Sequence, residues 1–328
     1  MDLPAALRAA IDREMAGASR RDLAQRTAAT TATYRGGGTS ATAIKSRGDA
    51  LAYALARLPA TYAAAATVFA EARRMAPAFA PTSLLDAGSG PGGGSWAAGE
   101  AWTSLRQVTW LDASPPFLDL AWRLAAGTPL ADADARRGDL TAGGFPTADL
   151  VLASYALAEI PTPSLAKLTE ALWEATGGLL ALVEPGTPAG YGRILAARAA
   201  LVAAGATILA PCPHHDACPI VAPDWCHFSV RLARSRDHRL VKGADAAFED
   251  EKFAYLLAAR PHITAEPRTP RVLARPRAGK PGIELKLCTE GGLEHRFVAR
   301  RDKPAHAVAR RLDWGDALPA GPGTTLAS

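Results

Sequence analysis

Residues 84–92 read LLDAGSGPG, an apolar run that leads into an acidic residue and then into three alternating glycines. The apolar run is typical of a buried strand, and a helical pattern begins after the glycines. Glycine at positions 88, 90 and 92 lets the backbone approach a ligand closely, and the start of the next helix offers unpaired N–H groups. A dinucleotide site more typically reads G-x-G-x-x-G, and the order here departs from it.

Short apolar runs and helical stretches alternate after this loop. We expect strands at Ser83–Ala87, Gln107–Asp112, 149–154, 178–184 and 206–211, and a short one near 136–139. Helices are expected between them, near 94–102, 116–127, 164–176 and 191–204. This alternation predicts an α/β fold with a doubly wound, Rossmann-like sheet, whose ligands lie beyond the carboxyl ends of the strands.

The flanking regions have different patterns and suggest three parts, 1–75, 76–211 and 212–328. The first part is predicted to be helical, including a long periodic run at 50–74, with a glycine-rich linker at 36–40. In the last part, 244–259 has a helix-like pattern. Three short basic segments, 271–277, 283–288 and 295–300, predict a small antiparallel β unit.

The charge is unevenly distributed along the chain. The 37 Lys and Arg exceed the 32 Asp and Glu by five, and residues 260–311 alone hold 13 basic and 5 acidic side chains. Such a density suits contact with a phosphate backbone, although a solvated surface is the alternative. The candidate phosphate contacts are Lys242, Arg271, Arg275, Arg277, Lys280, Arg300, Arg301 and Lys303.

The D-x-G-x-G-x-G order of Asp86, Gly88, Gly90 and Gly92 resembles motif I of class I S-adenosylmethionine-dependent methyltransferases. Asp86 would then orient the loop or the methionine ammonium group of the ligand. In the same pattern, Gly88, Gly90 and Gly92 pass beside the amino-acid part of S-adenosylmethionine.

Three residues at later strand ends are further candidates for cofactor binding. Asp112 closes the second strand, where a carboxylate can accept both ribose hydroxyls. The methyltransferase pattern implies that Asp139 lies near the adenine amine, and a helix cap is the alternative. Ser154, with Tyr155, either contacts the methyl acceptor or lines the cofactor pocket. The loop they begin lacks the Asn/Asp-Pro-Pro-Tyr motif that grips an exocyclic base amine.

Four cysteines, Cys212, Cys218, Cys226 and Cys288, follow the sheet region with the spacing C-x5-C-x7-C-x61-C. Zinc sites usually contain close C-x2–4-C pairs, which are absent here. Wider loops favour an iron–sulfur cluster, because a cluster is larger than one ion. Neighbouring histidines leave a Cys/His zinc site open.

The cysteine-rich stretch and several other segments resemble the methyltransferase-like proteins of the mitochondrial small ribosomal subunit and their bacterial homologues. The matching segments are 184–188 (EPGTP), 210–214 (APCPH), 224–229 (DWCHFS), 249–256 (EDEKFAYL) and 310–316 (RRLDWGD). The resemblance implies that Cys212, Cys218, Cys226 and Cys288 hold a [4Fe–4S] cluster. It also implies association with small-subunit rRNA during assembly of the small ribosomal subunit.

Composition excludes several other classes of protein. A chain with 48% hydrophobic and 21% charged residues is not mainly disordered, and no apolar run approaches the roughly 20 residues that span a bilayer. The acidic residues near the start argue against a secretory or transit peptide, so we expect a cytoplasmic monomer. Two functions stay open: an rRNA methyltransferase, and a non-catalytic ribosome-binding protein on a methyltransferase scaffold.

Overall fold

An eight-stranded sheet forms the centre of the computed structural model, which describes residues 1–319. Its strands are β1 (Ser83–Ala87), β2 (Gln107–Asp112), β3 (Asp134–Arg137), β4 (Ala148–Ser154), β5 (Thr176–Pro185), β6 (Thr207–Ala210), β7 (Phe228–Ala233) and β8 (Phe248–Ala259). Their order is β3-β2-β1-β4-β5-β8-β6, and β7 pairs with β8. The first five strands are parallel, whereas β8 is antiparallel to β5, β6 and β7. The predicted Rossmann-like methyltransferase sheet is confirmed.

Helices cover both faces of this sheet. The α-helices of the described residues are α1 (Ala5–Glu14), α2 (Arg20–Arg35), α3 (Ser40–Ala43), α4 (Arg47–Ala56), α5 (Leu58–Met75), α6 (Gly93–Ala101), α7 (Pro115–Ala125), α8 (Leu165–Ala175), α9 (Pro188–Ala203), α10 (Arg236–Lys242) and α11 (Lys303–Ala309). The last of them, α11, packs on a smaller second sheet instead of on this one. Alternate strand residues separate two cores: Leu84 and Leu152 pack with α4–α7, and Leu85 and Val151 pack with α8 and α9. A sheet buried on both faces explains its nearly continuous apolar strands.

The sheet brings the predicted cofactor residues to one edge. Strand order reverses at β1, which lies between β2 and β4, so a crevice forms where the following loops diverge. The glycine loop follows β1, Asp112 ends β2, and Ser154 ends β4. Residues distant in sequence therefore become neighbours beyond the carboxyl ends of the parallel strands.

The N-terminal region is helical, as predicted, but the run at 50–74 is not one helix. It is interrupted at Arg57, whose φ of −122° and ψ of −34° fall outside helical geometry, so α4 ends at Ala56 and α5 begins at Leu58. The interruption lets α4 pack on α7 while α5 packs on α6. The predicted glycine-rich linker connects α2 to the short helix α3.

The helix predicted over 244–259 is wrong, because this segment contains the 12-residue strand β8. Its Ala, Leu, Glu and Lys residues favour a helix locally. In the protein, residues 254–259 are buried and pair with β5, and residues 257–259 also pair with β6, so backbone hydrogen bonds stabilise a strand. The preceding strand β7, which sequence analysis did not predict, pairs with the outer half of β8.

The predicted small antiparallel unit is present. Strands β9 (Arg271–Val272), β10 (Arg277–Ala278), β11 (Gly282–Thr289) and β12 (Gly292–Ala299) form a second sheet in which β11 pairs with the other three. A small core of its own lies beneath it, with Val272, Leu285 and Val298 buried.

The division into parts 1–75, 76–211 and 212–328 stays a prediction, and its last residues, 320–328, lie outside the described residues. Strands β7 and β8 come from the third part and belong to the central sheet. Within residues 1–319, every helix is too short or too polar to cross a membrane.

Replacing Leu257 by alanine tests the position of β8 at the centre of the sheet. Leu257 is fully buried and pairs with Ala181 of β5 and Ala210 of β6. Because truncation leaves a cavity, we expect the free energy of unfolding in urea to fall by about 2–5 kcal/mol. Leu240→Ala, at a side chain that is 44% exposed on α10, is the control and should change it by less than about 0.5 kcal/mol. Equal effects of the two substitutions would contradict this placement of β8.

Candidate functional site

The glycine loop joins β1 to α6 with three backbone conformations that favour glycine. Gly88, Gly90 and Gly92 have φ angles of +77°, +53° and +84°. A Cβ atom at Gly88 would also lie 2.6 Å from the Cβ atom of Ala156, so no side chain fits there. Helix α6 begins immediately after Gly92, and its first N–H groups face the same edge of the sheet.

Asp86 is buried beneath this loop. One carboxylate oxygen accepts a hydrogen bond of 2.7 Å from the Ser95 hydroxyl group, which in turn accepts one of 3.0 Å from the Trp110 indole N–H. Burial raises the pKa of Asp86 to about 6. The carboxylate thus anchors the first turn of α6, which agrees with the predicted orienting role more than with direct contact to a ligand.

Asp112 closes the loop from the other side. Its Oδ2 accepts a hydrogen bond of 2.8 Å from Gly90 N–H, and its Oδ1 accepts one of 2.8 Å from Ser114 N–H. Burial raises the pKa of Asp112, and the side chain is 7% exposed. Each of the two carboxylate oxygens therefore already accepts one hydrogen bond. Each keeps a second lone pair that can accept a hydrogen bond from a ribose hydroxyl group.

Asp139 and Ser154 lie in different surroundings. Asp139 is exposed and accepts hydrogen bonds of 2.8 Å from the N–H and the hydroxyl group of Thr141, which lower its pKa. It caps the short 3-10 helix Leu140–Ala142, the alternative considered above. Ser154 is half-buried at the end of β4, and its hydroxyl oxygen has no partner among residues 1–319.

The loop after β4 contains a buried polar network that sequence analysis missed. Tyr155 has a φ of +57°, and its hydroxyl group donates a hydrogen bond of 2.7 Å to Glu251 on β8. Arg57 forms an ion pair of 3.2 Å with the same carboxylate and lies 5.7 Å from the Tyr155 ring centroid. Because residues 249–256 were expected to be helical, no pattern in the sequence indicated that Glu251 contacts Tyr155.

Glu184, at the end of β5, is a second buried acid that was assigned no role. It is 0% exposed, and one oxygen accepts a hydrogen bond of 2.9 Å from Leu157 N–H. The other oxygen has no partner in the described part of the chain. Burial raises the pKa of Glu184 to about 8. A protonated carboxyl group here would hold the loop after β4 without a buried charge.

The N-terminal helices lie over this edge of the sheet. Glu159 accepts hydrogen bonds from the backbone N–H and the hydroxyl group of Ser40, at 2.8 and 2.5 Å. The Tyr34 hydroxyl group lies 2.8 Å from the Ser40 hydroxyl group. Tyr53 packs against Phe117 with ring centroids 4.8 Å apart. Residues 34–57 therefore contact the loop after β4 and helix α7, the two elements on either side of the glycine loop.

All four cysteines line one cavity, although they come from distant parts of the sequence. Cys212 follows β6, Cys218 and Cys226 lie in the loop before β7, and Cys288 is on β11. All four are free thiols. The Tyr191 hydroxyl group lies 3.1 Å from the Cys218 sulfur atom. The sequence-based grouping of these residues is thus reproduced in space.

Two arginines lie beside these thiols. Burial raises the pKa of Cys288 to about 12 and that of Cys226 well above its usual value, while the positive charges of Arg198 and Arg271 act in the opposite direction. No group of three or more Cys, His, Asp or Glu side chains within residues 1–319 is arranged to hold a single metal ion. Metal binding by the cysteines stays a prediction.

Arg271 was predicted to contact phosphate, and this prediction is wrong. Its side chain is buried, forms an ion pair with Glu71, and donates to the carbonyl groups of Pro211 and Gly315 at 3.3 and 2.9 Å. The charge of Arg271 is evident from the sequence, whereas its burial is visible only in the structure.

Lys242 is also engaged, because its ammonium group lies 2.6 Å from Glu249. The other six candidate phosphate contacts are exposed and form no salt bridge within the described residues. They are Arg275, Arg277, Lys280, Arg300, Arg301 and Lys303. They lie on and around the second sheet, so this surface keeps the predicted positive charge.

Comparison with known proteins gives consistent matches. The family described as mitochondrial small ribosomal subunit Rsm22 matches residues 47–319. The human mitochondrial ribosome assembly protein METTL17 is 32% identical over 296 residues, covering 83% of this chain and 63% of the human protein. Two mitochondrial Rsm22-cox11 tandem proteins of Schizosaccharomyces pombe are 25% identical over 287 residues, covering 72% of this chain and 38% of theirs. This chain therefore spans less than two thirds of these relatives.

Among solved structures, the magnesium protoporphyrin IX methyltransferase of Synechocystis PCC 6803 with bound S-adenosylmethionine overlaps with a TM-score of 0.39. The two chains are 16% identical, and the overlap covers 66% of this chain and 85% of the other.

The names of the relatives correct the expectation of a cytoplasmic protein. The family and both kinds of relative are named mitochondrial, which contradicts a cytoplasmic location. The resemblance inferred from the cysteine-rich stretch and the glycine loop is confirmed, since the match extends over both. The chain belongs to the mitochondrial small ribosomal subunit Rsm22 family.

Proposed function

We propose that this protein is an assembly factor of the small ribosomal subunit that binds S-adenosylmethionine, an iron–sulfur cluster and rRNA. The observation that carries the proposal is the convergence of Cys212, Cys218, Cys226 and Cys288 on one cavity beside a methyltransferase-type sheet. Membership in the family, and a relative named as a ribosome assembly protein, support the ribosomal part.

The cofactor residues would act around the glycine loop. S-adenosylmethionine supplies an already activated methyl group, so the chain needs to position the acceptor and exclude water more than to move protons. Gly88, Gly90 and Gly92 would contact the amino-acid part, and Asp112 would accept a ribose hydroxyl. Asp86 would act indirectly by anchoring α6. Asp139 and Ser154 are assigned to the adenine end and the acceptor side.

The four cysteines of this cavity would supply the complete ligand set of a cluster. Four thiolates can ligate a [4Fe–4S] cluster, whose corners are farther apart than the ligands of one zinc ion. Cys212, Cys218, Cys226 and Cys288 line the same cavity, as a shared set of ligands requires. Arg198 and Arg271 would offset part of the negative charge of the thiolates. The bound cluster would join the loop before β7 to strand β11 and stabilise both.

The exposed basic side chains around the second sheet would contact rRNA. Arg275, Arg277, Lys280, Arg300 and Lys303 form no salt bridge within residues 1–319, so they are available to phosphates. Such contacts release condensed counterions, and the affinity should therefore fall steeply with salt. The protein would act on the subunit as a monomer.

One observation favours a second candidate, a non-catalytic protein that keeps the methyltransferase fold as a scaffold. Gly90 N–H already donates a hydrogen bond to Asp112, and the Tyr34–Tyr53 region packs against the loop after β4 and against α7. A closed loop would bind the cofactor weakly or not at all. The cluster and the rRNA contacts would then carry the function.

Binding of S-adenosylmethionine is tested with Gly90→Arg. A long side chain at this position, on a backbone with φ of +53°, would fill the path of the ligand. We expect calorimetry to show binding by the unmodified protein and a loss of roughly 100-fold or more in the variant. Gly127→Arg is the matched control, because Gly127 also has a positive φ of +77° but is remote from the loop. Equal affinity of the two variants would refute the assigned ligand position.

The cluster is tested by anaerobic purification. The protein should be brown, absorb broadly near about 400 nm, and contain about four irons per chain. Cys288→Ser and Cys212→Ser should lose the colour and part of the thermal stability, whereas Tyr191→Phe, in the same cavity, should keep the iron. A colourless protein with one equivalent of zinc would show that the cysteines hold a zinc ion instead.

Methyl transfer separates the two candidates. Purified immature small subunits are incubated with the protein and S-adenosylmethionine labelled in its methyl group. If the protein is a methyltransferase, we expect label in rRNA. This label should disappear with Gly90→Arg and persist with Gly127→Arg. Association with the subunits without any incorporation of label would establish the non-catalytic scaffold.

A further inference from the structure

An aromatic cleft lies between the outer half of β8 and the second sheet, and no residue of the glycine loop lines it. Two adjoining cavities form it, and both are lined by Arg275 and Trp314. One cavity extends along Arg231 and Arg310, and the other along Trp225 and His227. We use the name aromatic cleft for these six residues.

Three aromatic rings pack against one another in the cleft. The rings of Trp225 and His227 are stacked, with centroids 5.0 Å apart and 19° between their planes. Trp314 meets His227 edge-on, with centroids 4.7 Å apart. The Trp225 indole N–H donates a hydrogen bond of 3.0 Å to the Gly186 carbonyl group, which fixes the base of the stack. Trp314 lines both cavities, so its indole is accessible to an occupant of either one.

Once internal ion pairs are removed, the cleft keeps two arginines and one acid, Asp313, which lines one of the cavities and forms no salt bridge within the described residues, so its net charge is weakly positive. Asp250 is paired with Arg231 at 2.7 Å, and Asp224 is paired with Lys286. Arg275 and Arg310 are exposed and have no ion pair within the described part of the chain. The cleft therefore combines rigid aromatic surface with two available guanidinium groups.

We propose that the aromatic cleft binds an unpaired nucleotide of RNA, with the base packed against Trp314 and the phosphates beside Arg275 and Arg310. The inference rests on the rRNA binding proposed above and assigns it a class of target, a single-stranded segment. Bases of a duplex are stacked inside the helix, whereas unpaired bases stack readily on aromatic side chains. A flat basic surface without aromatic side chains would favour neither single-stranded nor duplex RNA.

The alternative occupant, an acidic peptide, would use the same arginines. It has no planar group that needs an indole surface, so it explains Arg275 and Arg310 but not the ordered ring stack. A comparison of RNA with an acidic polypeptide of similar charge therefore tests the role of Trp314 separately from charge.

The experiment measures fluorescence anisotropy of a labelled single-stranded oligouridylate and of a duplex RNA of equal length, using the full chain. Trp314→Leu should weaken binding of the single strand roughly ten-fold or more and leave duplex binding nearly unchanged. Trp314→Phe should retain most of the affinity. Trp122→Leu, at an indole that is 48% exposed on α7, is the matched control and should have no effect. Circular dichroism and thermal melting check that each variant is folded.

A double substitution, Arg275→Gln with Arg310→Gln, tests the cleft through exposed residues that do not support the core. It should weaken single-strand binding and reduce its salt dependence.

Unchanged single-strand binding in both Trp314→Leu and the double variant would overturn the aromatic cleft while leaving the proposed rRNA binding intact. Displacement of oligouridylate by polyglutamate at equal charge, insensitive to Trp314→Leu, would assign the cleft to acidic peptides. Failure of the unmodified protein to bind single-stranded, duplex or ribosomal RNA would refute the rRNA contact itself.

Discussion

A buried ion pair between Arg271 and Glu71 holds together three parts of the chain. Glu71 belongs to α5, and Arg271 begins the second sheet and also donates to the carbonyl groups of Pro211 and Gly315. A buried guanidinium group is unfavourable unless its partners are all in place. The N-terminal helices, the loop that starts the cysteine-rich stretch and the end of the described chain are therefore fixed relative to one another. The same charge lies beside the thiols of the cysteine cavity.

Local sequence patterns predicted those strands whose bounds are set by their own residues and by the residues that follow them. The bounds of β1 and β2 were predicted correctly, since apolar runs of the right length are followed by glycine or by an acid and a helix start. The strand β8 was not, because its residues favour a helix and only pairing with β5 and β6 makes it a strand. Information of that kind lies in partners far along the chain.

In the candidate site, too, residue types could be predicted from the sequence, whereas burial and contacts between distant residues could not. Residue identity was enough to group the four cysteines, because four thiols that all follow the sheet region indicate a shared site. Burial was invisible in the sequence, so Arg271 was counted with the surface arginines. The contact between Tyr155 and Glu251 joins residues 96 positions apart and depends on the misassigned strand. The glycine loop and Asp112 lie at the ends of β1 and β2, as expected. The hydrogen bond from Gly90 N–H to Asp112 is visible only in the structure.

The position of β8 also orders events during synthesis of the protein. Strand β5 leaves the ribosome long before its neighbour β8, and β6 has no partner in the sheet until β8 arrives. In that interval the edge of β5 presents unpaired N–H and C=O groups and an apolar surface. In a chain that stops before β8 begins at Phe248, the edge of β5 would stay unpaired, and an open edge promotes aggregation. The central sheet is thus completed by a segment from the C-terminal third of the chain, and we expect shortened products to need chaperones or to be degraded.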